Sequence, residues 1–587
     1  MQRRNLIICA GLIAIIGSGV WSAQLIWQRQ ERTATAIAGV ATVPDLSRWP
    51  AELKQQISLA SSAVTASSSP LEPLAKLATM YCANGYGSQA ESALAALRQL
   101  DPKNARWPYL LADLRLRAGD ATGAEAALQA TVEHDARYAP AWLRLGELLA
   151  KRGALDRARD CYAQAFAVTP GMVRAEYGLI YFEAMHGGGD ATRRKLEQLA
   201  RTHPEIKDVH ELLAGVLDAA KDSVGAARER RLATTNELVI GTEDPWLDEL
   251  TEDCFDSNRL MLRAVAMRRE GRYAEAEKLL LKVVQLATPD PANPLGWELL
   301  SDLYVKMGKP AEARATLEKA LTQFPDDPLM PLLLTRQLCT ARQAEAAIPV
   351  IQRAVQRWPG RGDLQAALGL ALQGTGNFAA AVPTLQQAIR LDPTLTEAQY
   401  TLGTCLLELG QRDAARAELE KTVTMRPDYP EALFALSAIE LEAGDFNAAE
   451  PHVFKVYALD PDEPNAQQLV AAWHLLKGLN AIQSGNPDDA DSHYRAGLTV
   501  APEYALLLRE TGSLAAQRGR WAEAVQADEH FIRVKPTDLA GHLALGLALQ
   551  KNGQAAEATA AFQRGLTLAQ QAGDQARIDE FTARLNQ

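Results

Sequence analysis

The chain has 587 residues, 47% of them apolar but only 6% aromatic, and a formal charge of −11 from 72 acids against 61 bases. Its length excludes one compact core, its alanine- and leucine-rich make-up favours helices over strands, and its scattered bases exclude the concentrated positive face that nucleic acid requires. The six cysteines, at 9, 82, 161, 254, 339 and 405, make no CxxC or zinc spacing and read mostly as small buried hydrophobes.

In chain order the first feature is Leu6–Trp27, LIICAGLIAIIGSGVWSAQLIW, which has no charged residue. About twenty residues at ~1.5 Å each cross the roughly 30 Å hydrocarbon layer, so residues 1–28 are expected to be a transmembrane anchor that meets the membrane through 6–27. Arg3 and Arg4 ahead of it favour an N-terminus inside and a chain outside the cytoplasm. A signal peptide cut after Ser22 is the alternative. Residues 29–70, which include SLASSAVTASSSP, are expected to be a linker with room for one short helix in Trp49–Ala60.

From residue 71 the same letters recur. Counting Ala139 as position 1, Trp142 is 4, Leu145 is 7, Gly146 is 8, Gly153 is 15, Ala158 is 20, Tyr162 is 24, Ala165 is 27 and Pro170 is 32. The offsets give Trp297, Leu300, Tyr304, Gly308, Ala313 and Pro325 from 294, and Leu402, Gly403, Gly410, Ala415, Leu419 and Pro427 from 396. This pattern resembles the tetratricopeptide repeat, a helix-turn-helix unit of about 34 residues. Units start at 71, 105, 139 and 173, with a worn one at 207, then at 257, 294, 328, 362, 396 and 430, and at 471, 505 and 539. The resemblance implies an all-α fold, a right-handed α-solenoid, and the apolar segment 6–27 is expected to precede it as one N-terminal transmembrane helix.

The letters have physical reasons. Position 8 is small because the two helices of a unit cross there, and a larger side chain would cost roughly 1–3 kcal/mol. Glycine at 15 supports a left-handed turn, and proline at 32 stops the second helix. No unit buries its apolar face alone, so the stability of the array is a sum over neighbours.

The rhythm breaks twice. An N-terminal array over 71–233 gives way to an acidic segment over 234–256, TTNELVIGTEDPWLDELTEDCFD, read as a solvated connector in preference to a lid or partner patch. A central array covers 257–463. Residues 464–470 are a short insertion before the C-terminal array over 471–572, and 573–587 read as a polar capping helix with Ile578, Phe581 and Leu585 on one face.

The sequence offers no HExxH, P-loop or GxSxG, and GGG at 187–189 falls in an inter-helix turn. The expectation is therefore a non-enzyme without metal or cofactor. The resemblance implies instead that positions 2, 5, 9 and 12 of each first helix point into a concave groove. In the unit at 139 the partner-reading letters are then Leu143 and Glu147. From 362 onward they include Leu370, Tyr400, Leu407, Phe434, Leu441, Leu475, Leu479, Ile482, Leu543 and Leu547, apolar enough to suggest a peptide or protein partner with an apolar segment. Position 9 carries no asparagine, which disfavours the carboxylate clamp known in this family. The expected role is a membrane-anchored scaffold that binds proteins or peptides, with its solenoid on the periplasmic side of a bacterial inner membrane. The alternative is an accessory docking subunit of an envelope assembly machine for secretion, polysaccharide or cytochrome maturation.

Overall fold

A computed structural model of the chain describes residues 24, 27–40, 44–47, 49–67, 69–286 and 294–586. The anchor expected over 6–27 lies outside them except for Gln24 and Trp27. No helix among the described residues is long and apolar enough to cross a membrane. The regular structure of these residues is helical, with no strand and one isolated bridge, between Ile206 and Leu238. Contacts divide the chain into two compact units, residues up to Met330 and from Pro331 onward.

In the first unit the segment expected to be a linker with one short helix is folded over more of its length. Residues 27–40 are helical, and Ala51–Ala66 is a helix of 16 residues whose Leu53, Ile57 and Val64 are completely buried. Those three lie on one face of a helix and join the core of the first repeat beside Leu74, Leu77 and Leu94. The high content of Ser, Ala and Thr hides this face, because only three large apolar residues mark it.

Paired helices follow. First helices run Leu71–Asn84, Arg106–Arg117, Ala139–Lys151, Val173–Met185, Lys207–Ala219 and Ser257–Arg269, and each packs against the next helix in sequence. The worn unit at 207 is as regular as the others, with a second helix at Ser223–Thr235. In the second unit the insertion at 464–470 is no loop: Pro464–Gln483 is one helix of 20 residues, so the insertion adds about two turns in front of the repeat. The last helix, Gln575–Leu585, buries Phe581 fully, and Ile578 and Leu585 pack beside it.

The repeat letters have a more specific contact than helix crossing. A methyl added at Gly146 would lie 2.9 Å from the ring of Tyr162, and one at Gly403 would lie 2.9 Å from Leu419. Position 8 is thus the seat for the side chain at position 24 of the same unit. Position 15 is left-handed throughout, as at Gly153 with φ 79°. In the units at 207 and 328 it is occupied by Lys221 (φ 62°) and Arg342 (φ 58°), which keep the turn at the steric cost glycine avoids. The described cysteines are all free, and four of the five are buried.

Candidate functional site

Within each unit, successive first helices touch one another, as Lys207–Ala219 touches Val173–Met185 and Gly362–Gly374 touches Thr396–Glu408. Successive second helices pack less closely, so the first helices line the inner face of the curve. In the first unit that face is occupied. The acidic segment is docked along it, where a solvated connector was expected.

The segment runs against the order of the repeats. At its start Lys207 donates its backbone N–H to the Leu238 carbonyl (2.9 Å), and Val239 donates to the Arg269 carbonyl (2.8 Å). Ile240 is gripped on both sides of its backbone: its N–H donates to Asp208 Oδ2 (3.1 Å), and Arg174 Nη1 donates to its carbonyl (3.3 Å). Glu147 holds Arg174 in place through Nε (2.8 Å).

Four residues on, the Asp244 carboxylate is buried between two phenols. Tyr138 donates to Oδ1 at 2.8 Å and Tyr109 donates to Oδ2. Burial is the main force raising the Asp244 carboxyl above its ordinary range, and the hydroxyls oppose it. Burial and the adjacent carboxylate push both phenols up, so they remain donors at any physiological pH. Trp246 lies flat on Tyr138, with ring centroids 3.6 Å apart and planes 13° apart, and meets Tyr109 edge-on at 5.4 Å. Its backbone N–H donates to the Tyr138 hydroxyl (3.2 Å).

At the far end Asn84, on the first repeat, grips the backbone with both atoms of its amide. Nδ2 donates to the Asp253 carbonyl and Oδ1 accepts from the Phe255 N–H, each at 2.7 Å. The acids between these points are paired in cis. Asp248 meets Arg263 (2.5 Å) and Arg272 (2.7 Å), Glu249 meets Arg106 (2.6 Å), Glu252 meets Lys278, and Asp253 meets Lys76 (2.5 Å). Leu250, Cys254 and Phe255 close the segment into the apolar core.

Counted within their repeats, Arg106, Arg174 and Asp208 stand at position 2, Tyr109 at position 5, and Glu147 at position 9. Asn84 is at position 14, where no position-9 search for asparagine finds it. Leu143, at position 5, is buried in the cluster against which Trp246 and Leu247 pack.

In the second unit the expected groove residues divide. Leu441 and Leu475 are only 8% and 7% exposed and belong to the interior, packed with Val453 and Tyr494 respectively, so they present no open surface. Leu370, Tyr400, Leu407, Leu479, Leu543 and Leu547 are half-buried, and Phe434 and Ile482 are exposed at 40% and 36%. Tyr400 meets the ring of Tyr429 at 5.1 Å, and the Arg426 guanidinium lies 3.6 Å over Tyr429. Leu506, at position 2 of its repeat and 42% exposed, belongs with them and was missed. Phe434, Ile482 and Leu506 thus stand on three consecutive first helices.

One family model of the tetratricopeptide repeat matches residues 115–177, 267–336 and 372–424, and a second matches 332–396, 400–464 and 475–538, together more than half of the chain. No curated protein matches. Similar solved structures include a thermophilic tetratricopeptide-repeat protein of Thermus thermophilus, at 22% identity over 31% of this chain and 98% of that one, with a TM-score of 0.28. The C-terminal part of a repeat protein from Cytophaga hutchinsonii is 18% identical over 41% of this chain and 95% of its own (TM-score 0.33). YrrB, a repeat protein with an unusual peptide-binding site, is 22% identical over 33% of this chain and 97% of its own (TM-score 0.26).

Proposed function

We propose, from the premise that this chain belongs to the tetratricopeptide-repeat family, that it is a scaffold which holds a protein or peptide partner on the inner face of residues 331–587. The observation that carries this reading is the docked acidic segment. The inner-face positions of this chain grip a stretch of polypeptide through its main chain, irregular up to Asp244 and helical over Pro245–Asp248 and Glu249–Asp253, and in the first unit that stretch is the chain's own. The second unit offers the partner Leu370, Tyr400, Leu407, Phe434, Leu479, Ile482, Leu506, Leu543 and Leu547, a surface suited to the apolar face of an amphipathic helix. Residues 6–27 anchor the scaffold in a bacterial inner membrane and confine it to the periplasmic side.

Leu407→Glu with Phe434→Glu places two charges on this face at half-buried and exposed positions. The pair is expected to remove partners recovered by cross-linking from the unaltered chain while leaving far-ultraviolet helicity unchanged. The same partner set on both chains would mean that these side chains only pack.

A further inference from the structure

The docking of residues 238–255 has the form of ligand recognition. Asn84 brackets the main chain between Asp253 and Phe255, and Arg174 with Asp208 brackets it at Ile240. Such grips are indifferent to the side chain of the residue held. Identity is read at two points, the Asp244 carboxylate between the Tyr109 and Tyr138 hydroxyls and the Trp246 indole on the Tyr138 ring. Charge fits as well, because Asp253 and Glu249 of the acidic segment meet Lys76 and Arg106 from the array. Glu243, Pro245, Glu249 and Glu252 face outward and add nothing to the core.

We propose that the inner face of the first unit is a receptor for an acidic peptide with an Asp-x-Trp core, irregular up to its aspartate and helical after it, and that residues 238–255 are its intrachain occupant. A partner of the same chemistry competes with this occupant for Tyr109, Tyr138, Asn84 and Arg174. The inference rests on the inner-face reading but uses other residues than Leu407 and Phe434, so either test fails without the other.

The probe is a labelled synthetic peptide of residues 236–256, followed by fluorescence anisotropy on the full chain. A tethered occupant competes at an effective concentration on the order of millimolar, so most receptor sites in the unaltered chain are closed to the peptide. Asp244→Ala with Trp246→Ala weakens the occupant and is expected to tighten peptide binding at least about tenfold. Adding Tyr109→Phe and Tyr138→Phe to that chain removes the donors to the peptide's aspartate and is expected to reverse the gain. A double variant that keeps its helicity yet binds no better than the unaltered chain overturns the proposal. Should the double variant lose its helicity, hydrogen exchange on the unaltered chain decides. Exchange of the Ile240, Trp246 and Phe255 amides while Ala139–Lys151 and Val173–Met185 stay protected supports a displaceable occupant. Exchange only together with those helices makes the segment a fixed part of the core and overturns it.

Discussion

Asp528 stands at position 24 of its repeat, where other units place Tyr162, Tyr494 or Phe562 against the glycine at position 8. Its carboxyl faces Gly512 and is only 5% exposed, and burial pushes its pKa up to about 7. An acid whose folded pKa lies above its unfolded value holds a proton that the unfolded chain has released. Folding therefore carries no penalty from it below about pH 4, and stability is lost as pH rises from there through 7. Asp528→Asn keeps the shape and removes the charge. It is expected to stabilise the chain at pH 8 by on the order of 2–4 kcal/mol and to change little near pH 4. Urea unfolding at the two pH values checks this, and an equal effect at both would show that charge is not the cause. The letter D at this position was legible, but its consequence depends on knowing that position 24 is sealed. Lys221 and Arg342 carry the same lesson, since their left-handed turns are imposed by the repeats on either side.

At the scale of the element, the repeat helices were legible because each buries a periodic apolar face, and the period itself repeats. The helix Ala51–Ala66 was legible only in part: a short helix within Trp49–Ala60 was expected, but not its full length or its burial, since Leu53, Ile57 and Val64 are its only large buried residues and its neighbours are serine and alanine. They are buried because the first repeat has no preceding unit to cover Leu74 and Leu77, and this helix does so. Ile57→Ser is accordingly expected to cost about 3 kcal/mol, from lost burial and a hydroxyl placed in an apolar site. The measure is the urea midpoint of the earliest unfolding step, which would stay fixed if residues 51–66 were a linker. The acidic segment was misread for a different reason. Eight acids without a base look solvated, yet their partners, among them Lys76, Arg106, Arg263, Arg272 and Lys278, lie up to 177 positions away in the sequence.

At the scale of the whole molecule, the two compact units differ in what covers their inner faces. The first is lined by polar grips and filled by the chain itself, and the second exposes Phe434, Ile482 and Leu506. The anchor proposed for residues 6–27 adds a constraint that is testable at this scale alone. A phosphatase fused after Gln587, active only outside the cytoplasm, is expected to be active, and a full-length fusion without phosphatase activity would sink the periplasmic placement.

The repeat, its helices and the family were determined by the sequence itself, because a solenoid's contacts are made between neighbours about 34 residues apart and leave the same letters in every unit. The groove was decided only by the tertiary structure. Which inner-face residues are open depends on what lies over them, and in the first unit that covering segment returns from as far as 177 residues downstream, leaving no period to read. Leu441 and Leu475 follow the same rule at smaller scale: they stand at groove positions by count, and neighbouring helices bury them.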